Sequence, residues 1–343
     1  MKFRCATFNL YQYVEPPSCW YDKDNFYTLA DWESKNTWIK RQVVALGADV
    51  VGFQEVFSQE SLKELMATIG YPYFATVDTP VMSDEITGIF VRPVVALASK
   101  HPIANVGPVE VASTIQHDLP VPDEFNFSRV PLRAEIEIAD GLAVTVYVAH
   151  LKSKRPMVME PTFGDDTSWQ VKVRECMRAT SRGQAASLLQ RGAEASALYH
   201  EVTRVLGDTD NLPIVVMGDL NDDEESIPIE ALSYKGRVYS IAGVPYGDLP
   251  MEAKRAAYSN KLYDAFFMAP NQEGGVRPPT HYHMGRGGTL DYIFMSNAFN
   301  LKNRNHVGRV VDFAVHGDHL NGDGVGDHKQ SDHAQVLAEI EFK

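Results

Sequence analysis

The sequence is poor in cysteine and in long apolar runs, and each shortage excludes a class of protein. Its three cysteines, Cys5, Cys19 and Cys176, form no CxxC pair, which argues against a disulfide framework and favours a reducing compartment. No apolar run approaches the roughly 20 residues that span a bilayer, so we expect no transmembrane segment. The first residues alternate like a strand and lack a signal-peptide core. We therefore expect a cytoplasmic protein, or a secreted or periplasmic one if a leader has been removed.

Positive charge is also scarce, because the 343 residues carry a formal net charge of −13. Proteins that coat nucleic acid without sequence preference neutralise its phosphates with lysine and arginine, so the count disfavours that class. It does not exclude an enzyme that acts on phosphates. Carboxylates that bind divalent cations add to the negative count when the cations are left out.

Strand-like and helix-like segments alternate along the chain, with no repeat, low-complexity stretch or obvious linker. The strand-like segments lie at 2–10, 50–56, 87–92, 93–99, 132–139, 142–151, 213–220, 289–296 and 334–342. The helix-like segments lie at 36–48, ending at Gly47, at 61–70, with Ser61 as a plausible cap, and at 174–206, as one helix or two. Longer irregular stretches, which usually mean functional rims or disorder, occur at 11–35, 100–128, 152–172, 240–288 and 312–330.

Several strands follow one another directly, which implies antiparallel pairing rather than a purely parallel βαβ array. The order predicts an α/β fold in which two mixed β-sheets pack together with helices outside. The length suits one large domain or two medium ones, and we expect a single domain over residues 1–343.

The stretch "LPIVVMGDLNDDEES" (212–226) shows where the chemistry is expected. An apolar run bounded by turn residues is typical of a strand buried on both faces, and α/β proteins build their sites at the carboxyl ends of such strands. Taken alone, the acids are better explained as a solvated turn. Other predicted strand ends, however, carry similar groups: Asn9, Glu55, Glu85, His150, Asp219, Asn221, Asp291, Asp332 and His333. Hard oxygen donors suit Mg²⁺, Mn²⁺ or Ca²⁺, and histidines beside carboxylates suit proton transfer.

The order of these groups resembles that of a known superfamily. "TFNL", "FQEV", "AHL", "GDLN", "LDYIF" and "SDH" occur in this order between Thr7 and His333, as in the endonuclease/exonuclease/phosphatase superfamily. Single motifs are weak, whereas the ordered set is specific. The resemblance implies a deoxyribonuclease-I-like four-layer α/β sandwich with its site at one end of the two sheets.

The resemblance also implies a role for each matching residue. Asn9 and Glu55 match the metal-site pair, and Asp332, the acid beside the final histidine, completes the expected metal site. Asp219 and Asn221 match the element that positions the attacking water and contacts the phosphate. Asp291 and His333 match a catalytic Asp–His pair. His150 matches the histidine of the deoxyribonuclease branch, and Glu85 matches the glutamate that orients it.

The segments around this set have two readings each. Lys152, Lys154 and Arg155 hold a second phosphate or form a solvated basic turn. The stretch 280–288 places His281, His283 or Arg286 at the substrate mouth or is a glycine-rich turn. The stretch 315–330 is a second metal site or a polar rim loop, and it fails the EF-hand spacing. Asp222 to Glu225 are expected to form only a solvated turn.

We therefore expect a divalent-metal-dependent phosphoesterase that uses Mg²⁺, with Mn²⁺ or Ca²⁺ as possible substitutes. Its expected reaction is nuclease-like hydrolysis of a phosphodiester, in nucleic acid or in a small molecule. The alternative within enzymes is a phosphatase or a lipid-headgroup phosphodiesterase of the sphingomyelinase or inositol-phosphate kind. The alternative from another class is a catalytically silent binding scaffold, which the complete motif set disfavours. The sequence leaves the substrate and the oligomeric state open.

Overall fold

The computed structural model describes residues 1–122, 124–158, 161–234, 238–272, 275–320 and 327–343. Its strands are β1 (Lys2–Tyr13), β2 (Cys19–Trp20), β3 (Val50–Val56), β4 (Tyr73–Ala75), β5 (Val81–Met82), β6 (Ile89–Arg92), β7 (Val94–Ser99), β8 (Ile103–Pro108), β9 (Leu132–Ala139), β10 (Leu142–His150), β11 (Ile214–Asp219), β12 (Ser240–Ile241), β13 (Val244–Pro245), β14 (Tyr263–Asp264), β15 (His281–His283), β16 (Arg286–Gly288), β17 (Asp291–Met295), β18 (Gly308–His316) and β19 (Gln335–Phe342).

The helices lie between these strands. They are α1 (Leu29–Leu46), α2 (Gln59–Ala67), α3 (Ser113–Asp118), α4 (Trp169–Leu206), α5 (Ile227–Ser233), α6 (Met251–Ser259) and α7 (Ala265–Met268), with short 3₁₀ turns at Tyr246–Asp248, Pro270–Gln272 and Asn297–Phe299. Within the described ranges, no helix is both long and apolar enough to cross a membrane.

Two six-stranded sheets form the centre of the molecule. Their strand orders are β18-β19-β1-β3-β7-β4 and β14-β17-β11-β10-β9-β8. In the first sheet β1 pairs parallel with β3 and antiparallel with β19. In the second sheet β10 pairs parallel with β11 and antiparallel with β9. The prediction of two mixed sheets is confirmed.

Hydrophobic side chains fill three layers, one between the sheets and one outside each sheet. Successive side chains of a strand point to opposite faces, so in β10 Val146 packs between the sheets while Tyr147 packs in the outer layer that contains α4 residues. Likewise Phe3 of β1 faces the second sheet, and Phe8 packs with Trp38 of α1. The result is the four-layer arrangement of helix, sheet, sheet and helix.

Several predicted boundaries were wrong. Helix α1 begins at Leu29 rather than at 36, because the Thr28 side chain accepts a hydrogen bond from the Asp31 backbone and caps it. Ser61 does not cap α2, which already begins at Gln59. Strands β8 and β18 were not predicted. They carry many exposed or half-buried residues, so their apolar pattern is weak.

Candidate active site

The candidate catalytic side chains meet at one end of the two sheets. His150 and Asp219 are the last residues of β10 and β11, which pair in parallel with these two residues in register. Parallel strands end at the same edge of a sheet. From the other sheet, the Asn9 side-chain amide donates a hydrogen bond to Asp219 Oδ2 at 3.1 Å. This bond joins the two sheets at the ends of their strands.

Asp219 is the centre of the site. Its Oδ1 accepts the Asn221 backbone N–H at 2.9 Å, and its Oδ2 faces His150 Nε2 at 3.4 Å and His333 Nε2 at 3.9 Å. Burial raises the pKa of Asp219 to about 7, and the nearby Asp291 carboxylate adds to the increase while His333 opposes it. Asp219 is therefore a carboxylate that is able to take up a proton near neutral pH.

His333 and Asp291 form the expected pair. His333 Nδ1 lies 2.9 Å from Asp291 Oδ2, and both residues are buried. Burial by itself disfavours a charged imidazole, but the Asp291 and Asp219 carboxylates outweigh it and hold the pKa of His333 well above its ordinary value. The Nε2 atom of His333 consequently carries a proton and points toward Asp219.

His150 does not pair with Glu85, and that prediction was wrong. His150 Nδ1 has no hydrogen-bond partner in the described part of the chain, and Glu85 is exposed. Glu85 lies between β5 and β6. These two strands form a small third sheet with β2, which is separate from the two main sheets. Burial, with Arg129, His333 and Lys152 nearby, holds the pKa of His150 well below its ordinary value, so this imidazole is neutral.

Glu55 and Asp332 supply carboxylate oxygens close to the same site. Glu55 Oε2 accepts the Gln12 backbone N–H at 3.0 Å, which is turned toward it by a bulge where Tyr11 and Gln12 both have positive φ. Burial and the Asp332 carboxylate raise the pKa of Glu55. Asp332 Oδ1 is buried and has no hydrogen-bond partner among the described residues.

A divalent cation fits these donors. Mg²⁺ prefers carboxylate and amide oxygens, and a cation here would relieve both the electrostatic cost of Glu55 beside Asp332 and the unpartnered Asp332 oxygen. The Asn9 side-chain oxygen is less available to a cation, because it already accepts a hydrogen bond from the Tyr11 backbone N–H at 3.0 Å. Glu55 and Asp332 therefore offer carboxylate oxygens on this side of the site.

His281 is a site residue that the sequence left undecided. Its ring lies 4.8 Å from the ring of His333, and its Nε2 is 3.8 Å from Asp332 Oδ2. The atoms of His281, Asp332 and His333 lie close enough to hold an ion, as do those of Asp219, Asp291 and His333. In the second group, however, His333 Nδ1 and Asp291 Oδ2 are already joined by a hydrogen bond.

Arg129 and Tyr11 were missed by sequence reasoning. The positive charge of Arg129 lowers the pKa of both Glu55 and His150, and its guanidinium donates to the Leu151 carbonyl at 3.1 Å. Burial and the acids Asp332 and Glu55 raise the pKa of Tyr11. Neither residue belongs to a quoted motif. The sequence marks them only by position, since Arg129 lies shortly before β9 and Tyr11 lies within β1.

The basic residues after β10 are mostly engaged within the protein. The Lys152 ammonium donates to the Ser153 and Arg155 carbonyls at 3.1 and 3.0 Å, and burial lowers its pKa to about 8. Lys154 pairs with Asp222 and Asp223 at 3.3 and 2.6 Å. Arg155 and Arg286 are exposed.

Two neighbouring expectations are also resolved in part. Asp222 was predicted to lie in a solvated turn, but it is buried and pairs with Arg191 at 2.8 Å. In the loop 315–330, His319 Nε2 lies 3.0 Å from the His333 carbonyl. His319 therefore contacts the backbone of a site residue and not its imidazole. Residues 321–326 of that loop, including Asp323, lie outside the described residues. Of the remainder, no residue belongs to either potential ion-binding group.

The fold and this site define a class of phosphoester-cleaving proteins. A family model described as the Endonuclease/Exonuclease/phosphatase family matches residues 6–333, and the chain belongs to that family. Its members are hydrolases that act on phosphoester bonds. No curated protein sequence matches the chain.

Solved structures confirm the deoxyribonuclease-I-like fold. The human Nocturnin catalytic domain with bound sulfate has a TM-score of 0.58 and 17% identity, over 100% of this chain and 95% of that one. A humanized D. rerio TDP2 with 14 mutations has a TM-score of 0.56 and 11% identity, over 99% of both chains. Mannosyl-6-phosphatase of Bacteroides thetaiotaomicron has a TM-score of 0.53 and 14% identity, over 99% and 100%. At these identities the likeness concerns the fold alone.

Proposed function

We propose that the protein is a Mg²⁺-dependent phosphodiesterase. The observation that carries the proposal is the position of Asp219, which lies between His150 and His333 and accepts a hydrogen bond from Asn9 of the opposite sheet. Basic and acidic groups are thereby held around one small volume, as hydrolysis of an anionic ester requires.

The proton-handling groups have separate tasks in this proposal. Asp219, with a pKa near 7, accepts a proton from the attacking water. His333, kept protonated by Asp291, donates a hydrogen bond to a phosphate oxygen. Asn221, two residues after Asp219, donates one amide hydrogen to the Leu151 carbonyl at 3.0 Å and offers the other to the phosphate without adding negative charge. His150 is neutral and donates a hydrogen bond on the leaving-group side, where the departing oxygen takes its proton from water.

A divalent ion held by Glu55 and Asp332, with the Asn9 oxygen nearby, would supply charge neutralisation for the phosphate and its leaving oxygen. The remaining steps depend on the protein's own groups. Arg129 adds a positive charge beside Glu55 and His150, which favours an anionic substrate at this position.

The substrate is proposed to be a small or short phosphodiester rather than a long polyanion. The net charge of −13 repels extended nucleic acid, and Lys152 and Lys154 are already engaged within the protein. A phosphatase or lipid-headgroup phosphodiesterase is the alternative, and a silent scaffold is the alternative from another class.

A substrate panel tests the proposal. Purified protein is assayed with Mg²⁺, with Mn²⁺ and with excess chelator on a chromogenic phosphodiester, a chromogenic phosphomonoester, single-stranded DNA, RNA, sphingomyelin and inositol phosphates. We expect diester cleavage that chelator abolishes and Mg²⁺ restores. Undiminished activity in chelator would reject the metal requirement, preferential cleavage of monoesters would favour the phosphatase, and inactivity on the whole panel would favour the scaffold.

A further inference from the structure

The first part of helix α4 extends beyond the body of the protein. Arg191 donates to the Lys152 carbonyl at 3.0 Å and so lies level with the end of β10. Trp169 precedes Arg191 by about 33 Å of helix at 1.5 Å per residue, and the first buried residue of α4 is Ala179. Because α4 connects the parallel strands β10 and β11, it runs opposite to them. Its N-terminal end therefore projects at the end of the molecule that carries the candidate active site.

The loop before α4 packs along this projection. A side chain at Gly183 would meet the Pro156 side chain at 2.7 Å and the Val158 backbone at 2.9 Å, so glycine permits the close approach. The Met157 backbone N–H donates to the Gly183 carbonyl at 3.1 Å. We call residues 156–158 and 169–182 together the arm.

The outer face of the arm is apolar. Trp169, Val173 and Met177 recur every four residues, which places them in one row along the helix, and they are 78, 53 and 69% exposed. Met157 and Val158 of the packed loop are exposed as well. Exposed apolar groups gathered in one place mark an interaction surface, whereas scattered ones do not.

Basic side chains flank this row on both sides. Arg174, Arg178 and Arg182 form a second row with the same spacing of four residues, and Lys172 lies over the Trp169 ring at 5.2 Å on the other side. The only acid between 169 and 182 is Glu175, which pairs with Arg174 and Arg178 at 3.3 and 2.9 Å. The arm is thus basic, in a chain whose net charge is −13.

We propose that the arm binds an anionic lipid surface, with the apolar row in the interface and the arginines against the headgroups. An apolar row beside basic residues is the pattern of helices that lie in a membrane interface, where tryptophan is favoured. A second copy of the chain is a poor partner for this face, because the four basic side chains of one arm would then face the four of the other, with only one acidic side chain on each. Nucleic acid would use the arginines but would leave Val173 and Met177 in water.

Vesicle binding tests the proposal without reference to the reaction. The full chain is mixed with phosphatidylcholine vesicles with or without about one third phosphatidylserine, and binding is followed by flotation and by tryptophan fluorescence. Trp32 and Trp38 are buried and Trp20 is partly buried, so a blue shift that Trp169→Phe removes reports the arm. We expect binding to anionic vesicles at low salt and its loss at high salt.

Paired variants locate the surface. Arg178→Gln with Arg182→Gln should weaken binding about 30-fold at low salt, at about fivefold for each charge removed. Val173→Ser with Met177→Ser should abolish the blue shift. Val276→Ser, a change at a residue that is 92% exposed elsewhere, is the matched control and should bind like the wild type. Circular dichroism checks that each variant remains folded.

Three outcomes would overturn the proposal. The first is the absence of binding to anionic vesicles at low salt. The second is a dimer in light scattering that Val173→Ser with Met177→Ser dissociates, which would assign the face to a second copy. The third is arginine-dependent binding of a single-stranded oligonucleotide without vesicle binding. None of these bears on the proposed hydrolysis, which the substrate panel tests separately.

Discussion

Replacement of Gly218 by alanine tests how closely the fold and the site depend on each other. Gly218 precedes Asp219 in β11 and pairs with Ala149 of β10. Its φ is +152°, and an added Cβ would lie 1.9 Å from the Ala149 carbonyl oxygen. Real Cβ contacts are essentially never shorter than 3.0 Å, so one of the two strands must move by about 1 Å.

The cost follows from two contributions. Overpacking in a tight interior typically costs about 1–3 kcal/mol, and holding a non-glycine residue in a disfavoured backbone region costs about 1–3 kcal/mol. We therefore expect Gly218→Ala to lower the free energy of unfolding by about 2–6 kcal/mol, out of a usual total of about 5–15 kcal/mol. The folded fraction should also lose activity, because a shift of about 1 Å is able to cost about a hundredfold in rate.

Urea unfolding followed by circular dichroism measures the first effect, and turnover on the best substrate of the panel measures the second. Gly192→Ala is the control, because Gly192 lies within α4 and a side chain added there would meet only open space. That variant should be up to about 1 kcal/mol more stable than the wild type. A Gly218→Ala protein whose free energy of unfolding lies within about 1 kcal/mol of the wild type would refute the reasoning.

Three further predictions concern the site, its support and its substrate. His333→Ala should lower kcat by about 10²–10⁴-fold and should also lower the urea midpoint, because it leaves the buried Asp291 carboxylate without its partner. His117→Ala, at an exposed histidine of α3, should leave both unchanged. Normal turnover in the folded fraction of His333→Ala would place the chemistry elsewhere. Burial lowers the pKa of Lys35 from 10.5 to about 7. Between about pH 7 and pH 10.5 the lysine therefore holds a proton in the unfolded protein that it has lost in the folded protein, so the free energy of unfolding should rise with pH. In Lys35→Met this contribution should vanish, and equal slopes of unfolding free energy against pH in the variant and the wild type would contradict the lowered pKa. If DNA is bound, its affinity should fall gently with salt, by about 0.9 log units per log unit of salt for each phosphate neutralised, and a slope that corresponds to about six or more phosphates would favour a dedicated nuclease.

Lys35 illustrates a supporting residue that no motif marks. It lies in α1, is fully buried, and its ammonium donates to the His328 and Gln330 carbonyls at 3.0 and 3.1 Å. These carbonyls precede Asp332 and His333 in the chain. The sequence offers only a lysine within a helix, and nothing in its neighbours along the chain indicates which distant carbonyls will receive it.

The pairing of His150 shows the same limit. Its place at the end of β10 was predictable, because strand periodicity and the polar residue after it are local features. The proposed partner Glu85 was wrong, because the segment that carries it joins Cys19–Trp20 in a separate small sheet. Only the packing of these distant segments decides where a short loop lies.

The sequence by itself determined the central strands of both main sheets and the helices α1, α2 and α4 apart from their boundaries, together with the mixed pairing and the set of polar groups at the strand ends. These depend on patterns within a few residues and on the order of motifs along the chain. The tertiary structure alone decided which groups touch: Asn9 with Asp219, His281 with His333, and Arg191 with Asp222. The physical reason is that a side chain's partner depends on how segments far apart in sequence pack together, and no local pattern encodes that packing.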